Sequence, residues 1–146
     1  MEGRGKRAAL FFAALVTAAF LVNFCWESLH GLLYDDHPLM AAERYVPMML
    51  FMASMDAVGI AVLYVLTAIG ARQLYWQPFL RNMAVFSLSA LVAAFAVEHA
   101  ALYWLHLWHY RTAMPELFGV GILPLIQMPL TGLFSVAVAR KMVPGG

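Results

Sequence analysis

Four apolar stretches, each about 20 residues or longer, dominate this chain of 146 residues. An α-helix of about 20 apolar residues is long enough to cross the hydrocarbon core of a bilayer. The links between the stretches are short, which favours antiparallel packing of consecutive helices. The sequence therefore predicts a single transmembrane domain over residues 1–146, an all-α, polytopic up-down four-helix bundle with helices at about 8–33, 46–69, 83–108 and 117–139.

Composition and charge narrow the class of protein. Hydrophobic residues make up 64% of the chain and charged residues only 12%, whereas soluble domains carry roughly 25% charged residues. The net charge is +1 and the basic residues lie at the ends of apolar stretches, so we expect no nucleic-acid partner. Cys25 is the single cysteine, which excludes a disulfide within the chain, and we interpret it as an inert packing residue.

The basic residues also predict an orientation. Most of them fall on one side of the four predicted crossings, and cytoplasmic loops of membrane proteins are enriched in Lys and Arg. The first apolar stretch shows no small-x-small cleavage site, so we interpret it as an uncleaved crossing. We expect a bacterial inner-membrane protein with both termini in the cytoplasm, Arg44 and Arg111 outside, and the following residues inside: Arg4, Lys6, Arg7, Arg72, Arg81, Arg140 and Lys141.

Three carboxylic acids interrupt three different apolar stretches: Glu27, Asp56 and Glu98. A carboxylate in hydrocarbon costs several kcal/mol unless it is paired, hydrated or protonated. At a rise of about 1.5 Å per residue, Glu27 lies about 9 Å below the outer end of its helix, and Asp56, Glu98 and Gln127 lie about 15 Å below theirs. We therefore expect one polar pocket in the outer half of the bilayer.

Helical spacing assigns further residues to this pocket. Asn23, Glu27, His30 and Tyr34 share one face of the first helix, because they lie four, three and four residues apart. We expect proton-transfer chemistry in which Glu27 and Glu98 act as acid and base while Asp56 and His30 tune or relay protons. The expected ligand-binding residues are Asn23, Trp26, Tyr34, Met52, Gln127 and Thr131. The alternative interpretation is that these polar groups only hold the helices together through interhelical hydrogen bonds.

The third stretch is rich in histidine, which raises the question of a metal. His99, Tyr103, His106 and Tyr110 form a stripe that is typical of an interfacial aromatic belt. No zinc motif such as H-E-x-x-H is present. A metal site is not favoured, the sequence identifies no cofactor, and the most plausible buried ligand set would be His30, Glu98 and His99.

The residues Asn23, Trp26, Glu27, His30, Leu33 and Tyr34 form an N-x-x-W-E-x-x-H-x-x-L-Y motif. This motif resembles the opening of a family of small, uncharacterised bacterial four-helix membrane proteins. Later parts of that pattern are similar to Asp56, to Glu98, to the segment Trp108-His109-Tyr110, to the pair Met114-Pro115, and to the segment from Gly121 through Pro124 to Gln127. The resemblance implies the same fold and site but no reaction.

A weaker analogy connects the chain with membrane isomerases and cyclases of the sterol and carotenoid type, which also place acids and aromatic rings inside a small helical bundle. It favours an isomerase, cyclase or hydratase acting on a lipid-like, isoprenoid or quinone-type molecule. The expected partners are membrane lipid and a hydrophobic small molecule. Two alternatives stay open: a carrier for protons or a metal ion, and a non-catalytic subunit of a homo-oligomer or larger membrane complex.

Overall fold

The computed structural model describes residues 2–143 as a bundle of long helices. Within this range, four helices are long and apolar enough to span a membrane, which confirms the predicted all-α four-helix architecture of a multi-pass membrane protein. They are α1 (Glu2–His30), α2 (Ala42–Ala71), α3 (Leu80–His99) and α4 (Ile122–Met142), and a single π-helical turn, Ala100–Trp104, extends α3.

The four helices pack around the bundle in chain order. Helix α1 lies against both α2 and α4, and α3 packs mainly against α4. Helices α2 and α3 contact each other less than the other neighbouring pairs do. The bundle is therefore closed on three sides and has a cleft between α2 and α3.

An aromatic core fills the end of the bundle that holds the α2–α3 link. Phe11, Tyr64, Trp76 and Phe86 are fully buried there, and their rings follow one another at centroid distances of 5.1, 5.5 and 6.2 Å. The hydroxyl of Tyr64 donates to the carbonyl of Leu74 at 2.7 Å, which satisfies its one polar atom. Burial of such large rings dominates core stability, so this end anchors the bundle.

The opposite end carries two link segments, residues 31–41 and 105–121, which we call the cap. They are joined by backbone hydrogen bonds from Asp35 N to the carbonyl of His109 at 3.0 Å and from Arg111 N to the carbonyl of Leu33 at 2.9 Å. The second segment ends in a short antiparallel hairpin, Glu116–Leu117 with Val120–Gly121. The two links therefore form one layer across the helix ends.

The helix boundaries differ from the predicted ones mainly at the cap. Helical structure after α3 ends at Trp104 and not at 108, and α4 begins at Ile122 and not at 117. Phe118 and Gly119 adopt positive φ angles of 53° and 76°, which turn the chain into the hairpin and stop a helix there. A prediction from apolar character alone therefore places the end of the third helix too late and the start of the fourth helix too early.

Helices α1 and α2 begin earlier than predicted, at residues 2 and 42, because polar residues continue the helices beyond the apolar stretches. Pro47 consequently lies inside α2.

Candidate functional site

The side-chain amide of Gln127 connects three helices. Its Nε2 donates to Glu27 Oε1 at 2.7 Å in α1, to Asp56 Oδ2 at 2.8 Å in α2 and to Asn23 Oδ1 at 3.0 Å in α1. The carboxyl groups of Glu27 and Asp56 therefore lie side by side, because both are bonded to the same nitrogen. An amide nitrogen has two hydrogens and here faces three acceptor oxygens, so only two of these contacts can be full hydrogen bonds at one time.

Asn23 and Thr131 support this amide from behind. The Nδ2 of Asn23 donates to the carbonyl of Ala19 at 2.8 Å, which turns its oxygen toward Gln127. The hydroxyl of Thr131 lies 3.1 Å from the same oxygen and 2.8 Å from the carbonyl of Gln127. Both side chains are buried, so they orient Gln127 and do not themselves face a ligand.

Glu98 forms a second centre, in which a buried carboxyl group accepts three hydrogen bonds. Tyr110 Oη donates to Oε2 at 2.5 Å, Trp108 Nε1 donates to the same oxygen at 3.3 Å, and Tyr34 Oη donates to Oε1 at 3.4 Å. All three donors come from the cap or its edge. The backbone N–H of Gly121 in turn donates to Tyr110 Oη at 3.0 Å, so the hairpin fixes the strongest of these donors.

The two tyrosines of this centre remain neutral over a wide pH range. Burial raises the pKa of Tyr34 above its ordinary value, and the nearby Glu98 carboxyl raises it further. Burial likewise raises the pKa of Tyr110, and its hydrogen bond to Glu98 adds to this effect. Both phenols therefore stay hydrogen-bond donors to the carboxylate.

His30 lies between the two centres. Its Nδ1 is 4.0 Å from Glu27 Oε2 and 3.3 Å from the carbonyl of Trp26. Its Nε2 is 3.3 Å from Tyr34 Oη, which also contacts Glu98. The polar side chains thus form one network from the Gln127 cluster to Glu98.

A cavity of about 470 Å³ lies against this network and faces the cleft between α2 and α3. Glu27, Asp56 and Glu98 all line it, together with Tyr34 and Gln127. Most of the remaining wall is apolar and includes the predicted ligand-binding residue Met52; the other apolar lining residues are Met49, Met55, Gly59, Val62, Leu63, Leu66, Ala93, Ala94, Val97, Pro124 and Met128.

Some of the predicted site residues lie outside the cavity wall. Asn23, His30 and Thr131 belong to the network but not to the lining. Trp26 lines no part of the cavity, and its indole N–H is buried without a hydrogen-bond partner among residues 2–143. The structure therefore places Trp26 outside this cavity, because its side chain points about 100° away from that of Glu27, the next residue along the helix.

The proposed metal ligands do not converge. His99 packs against Tyr103 and Trp104 at ring distances of 4.8 and 5.8 Å, away from His30. Within residues 2–143, no group of three or more His, Cys, Asp or Glu side chains is arranged to hold a metal ion. The predicted stripe from His99 to Tyr110 is also broken, because the helix ends at Trp104 and the chain folds back toward Glu98.

Three residues of the site were missed as site residues by sequence reasoning. Trp108 and Tyr110 were assigned to a helix end and an aromatic stripe, yet both bind Glu98. His37 lines the cavity and lies 2.9 Å from the carbonyl of Gly31 through its Nδ1. The available signal was the density of aromatic and histidine residues in both predicted outer links.

The fold and the site define the class of protein: a four-helix membrane protein with a polar network beside an intramembrane cavity. No protein-family model, curated protein or solved structure matches the chain. The function must therefore be argued from the site itself.

Proposed function

We propose that this protein is an integral membrane enzyme that performs proton-transfer chemistry on a lipid-like, isoprenoid or quinone-type molecule. One observation carries the proposal: Glu27, Asp56 and Glu98 come from three helices and line a single cavity of about 470 Å³ with mostly apolar walls. A concave apolar site with a few converging polar groups is the usual form of a small-molecule site.

The hydrogen bonds of Glu98 suit it to the role of base. Tyr34, Trp108 and Tyr110 can all donate to its two oxygens. Hydrogen bonds to an ionised acceptor are stronger than those between neutral groups. These donors therefore favour the carboxylate, which can remove a proton from a ligand.

Glu27 and Asp56 suit the role of acid. Their carboxyl oxygens lie 2.7 and 2.8 Å from the same nitrogen of Gln127, so the two groups are close to each other. Two ionised carboxylates at this distance repel strongly in a medium of low dielectric constant. The pair therefore retains a proton, which it can donate to a ligand in the cavity.

The isomerisation of an alkene illustrates the proposed chemistry. The Glu27–Asp56 pair donates its proton to one alkene carbon, where a new C–H bond forms, and the neighbouring carbon becomes cationic. Glu98 then removes a proton from the next carbon, and the electrons of that C–H bond form the new double bond. The proton on Glu98 returns to the pair, and His30 and Tyr34 lie between the two centres.

The proposed orientation places the cap outside a bacterial inner membrane and both termini in the cytoplasm. The structure brings the start of α1, the α2–α3 link and the end of α4 to one end of the bundle. These segments contain most of the basic residues, and an excess of Lys and Arg marks cytoplasmic segments. The cavity acids then lie toward the outer leaflet.

An ion carrier is less well supported by the same structure. A carrier would need polar groups that continue from the network toward the other end of the bundle. Ser135 and Thr67 lie in that direction, but their hydroxyls donate to backbone carbonyls of their own helices, at 2.6 and 2.9 Å. Both hydroxyls are thereby already used within their helices.

A labelling experiment tests the proposed function without knowledge of the substrate. The purified protein is incubated in D₂O with total lipids extracted from the producing membranes, and mass spectrometry then detects deuterium bound to carbon. We expect one lipid species to acquire deuterium. Because general acid and base catalysis each contribute roughly 100-fold or more, Glu27→Gln and Glu98→Gln should each reduce the labelling rate by about that factor.

Glu43→Gln is the matched control, because Glu43 is an exposed acid at the start of α2 and its removal should leave the rate unchanged. Folding of each variant is checked by its thermal unfolding midpoint. The proposal is wrong if folded Glu27→Gln and Glu98→Gln proteins label lipid at the parent rate. It is also wrong if the parent protein labels no lipid.

A further inference from the structure

The cavity is amphipathic along the bundle axis. Its acids lie toward the cap, and its apolar wall continues along α2 from Asp56 through Val62 to Leu66. Ten residues of α-helix correspond to about 15 Å. Val62 and Leu66 are more than half exposed on the protein surface, so this wall continues onto the face that contacts lipid.

This shape matches a molecule with one polar end and one apolar chain. Val97 of α3 also lines the cavity and is 62% exposed, so both sides of the cleft are open to the bilayer. A chain lying between α2 and α3 would run parallel to the surrounding lipid chains. Its polar end would then lie beside Asp56, at the depth of the polar network.

Three acids and one histidine, His37, are the ionisable side chains other than tyrosine that line the cavity among the described residues. No Lys or Arg lines the cavity among the residues that the structure describes. Asp56 is within electrostatic range of both Glu27 and Glu98. Asp56 accepts a hydrogen bond from the amide of Gln127. Asp56 therefore keeps acceptor capacity for a ligand in the cavity.

Aromatic rings favour a cation at the same end. Trp108 and Tyr34 both line the cavity beside Glu98, and their rings pack edge to face at 5.9 Å. An ammonium group over the face of such a ring is attracted to it, and more strongly where water is excluded. A hydrated anion would meet the carboxyl oxygens of three acids, which repel it, and no Lys or Arg of the described residues.

We propose that the cavity binds a single-chain cationic amphiphile, with its ammonium group at Asp56 between Glu27 and Glu98 and its chain in the cleft between α2 and α3. This inference rests on the proposed function, because both assign the ligand to the same cavity. It adds the charge and the orientation of the ligand, and it also fits a cationic centre that develops in a neutral substrate during proton transfer.

Binding of tail-matched probes tests this inference. The parent protein is placed in phosphatidylcholine nanodiscs, and the binding of dodecyltrimethylammonium, dodecanol and dodecanoate is measured against protein-free nanodiscs. We expect the cation to bind at least about tenfold more tightly than the neutral probe, and the anion most weakly, because a charge pair at 4 Å gains several kcal/mol at intermediate dielectric.

Two pairs of measurements separate charge from shape. Asp56→Asn should remove the preference for the cation over dodecanol, while Glu43→Gln, a change at an exposed acid, should retain it. Leu66→Trp should weaken all three probes by filling the cleft. Ile69→Trp is its control, because Ile69 is an exposed α2 residue outside the cavity lining.

The outcomes distinguish this inference from the proposed function. If the parent binds all three probes equally and Leu66→Trp blocks them all, the charge inference is overturned while the cavity proposal survives. If no probe binds, or Leu66→Trp has no effect on binding, both are overturned. The preference of the parent protein for the cationic probe is measured without any variant. The test therefore stays decisive even if Asp56→Asn does not fold.

Discussion

The amide of Gln127 in α4 donates a hydrogen bond of 2.8 Å to the carboxyl group of Asp56 in α2. These two helices lie diagonally across the bundle and have few other contacts. The bond therefore crosses the centre of the bundle, and the same nitrogen also holds Glu27 of α1. One side chain thus sets the positions of two of the three membrane acids.

Replacement of this amide should destabilise the protein. Gln127→Leu removes the donor that Asn23, Glu27 and Asp56 share and leaves buried acceptors unsatisfied, which costs about 1 to 3 kcal/mol. The thermal unfolding midpoint in detergent should fall accordingly. Leu130→Met serves as the control on the exposed face of α4 and should have little effect. An unchanged midpoint for Gln127→Leu would show that the amide does not hold the network.

The cap should lose stability at alkaline pH. The pKa values of Tyr34 and Tyr110 are raised in the folded protein, whereas an exposed tyrosine has a pKa of about 10. Below about pH 10 both tyrosines are protonated in the folded and in the unfolded state, and no stability is lost. Above about pH 10 ionisation lowers the free energy of the unfolded state, in which the tyrosine pKa is lower. The free energy of unfolding should therefore decrease as the pH rises above about 10.

Tyr110→Phe isolates this effect, because it removes one ionising group and the hydrogen bonds to Glu98 and Gly121. The variant should be less stable than the parent at neutral pH, and its stability should decline less steeply above about pH 10. Phenolate absorbance during alkaline unfolding provides the second readout and should rise less than in the parent. If the free energy of unfolding fell equally steeply with pH in the two proteins, Tyr110 would not contribute to the loss of stability at alkaline pH.

Two glycines of the bundle should respond differently to alanine. A Cβ at Gly132 would lie 2.6 Å from Cζ of the buried Phe86 ring, and overpacking of this kind costs about 1 to 3 kcal/mol. A Cβ at Gly59 would meet only the terminal methyl group of Met128, at 2.8 Å, which can move. We expect Gly132→Ala to lower the unfolding midpoint and Gly59→Ala to change it little.

Gly70→Ala is the control for this pair, because nothing lies within 4 Å of a Cβ there and alanine is the better helix former. Its midpoint should equal or exceed that of the parent. If Gly132→Ala were as stable as Gly70→Ala, the close packing of α3 against α4 at Phe86 would be wrong.

The site was partly readable from the sequence. The four-residue and three-residue steps from Asn23 to His30 place these side chains on one helix face. Glu27, Asp56 and Gln127 were all predicted to lie in the outer half of the bilayer, and they do contact one another through the Gln127 amide. Trp108 and Tyr110 were not readable, because their contact with Glu98 depends on where α3 ends and how the link folds back. That turn is set by contacts between the two cap segments, which lie far apart in the chain.

The sequence by itself determined the class of fold, because four apolar stretches of sufficient length have few alternatives to crossing a bilayer as helices. It also determined which polar residues must find partners there, since the cost of an isolated charge in hydrocarbon is a property of the residue and its surroundings. Only the tertiary structure decided which partners they find. Gln127 donates hydrogen bonds to Glu27 and Asp56, and a tyrosine of the cap donates one to Glu98. Hydrogen bonds depend on positions within a few tenths of an ångström. Those positions are set by the packing of the helices and by the fold of the links.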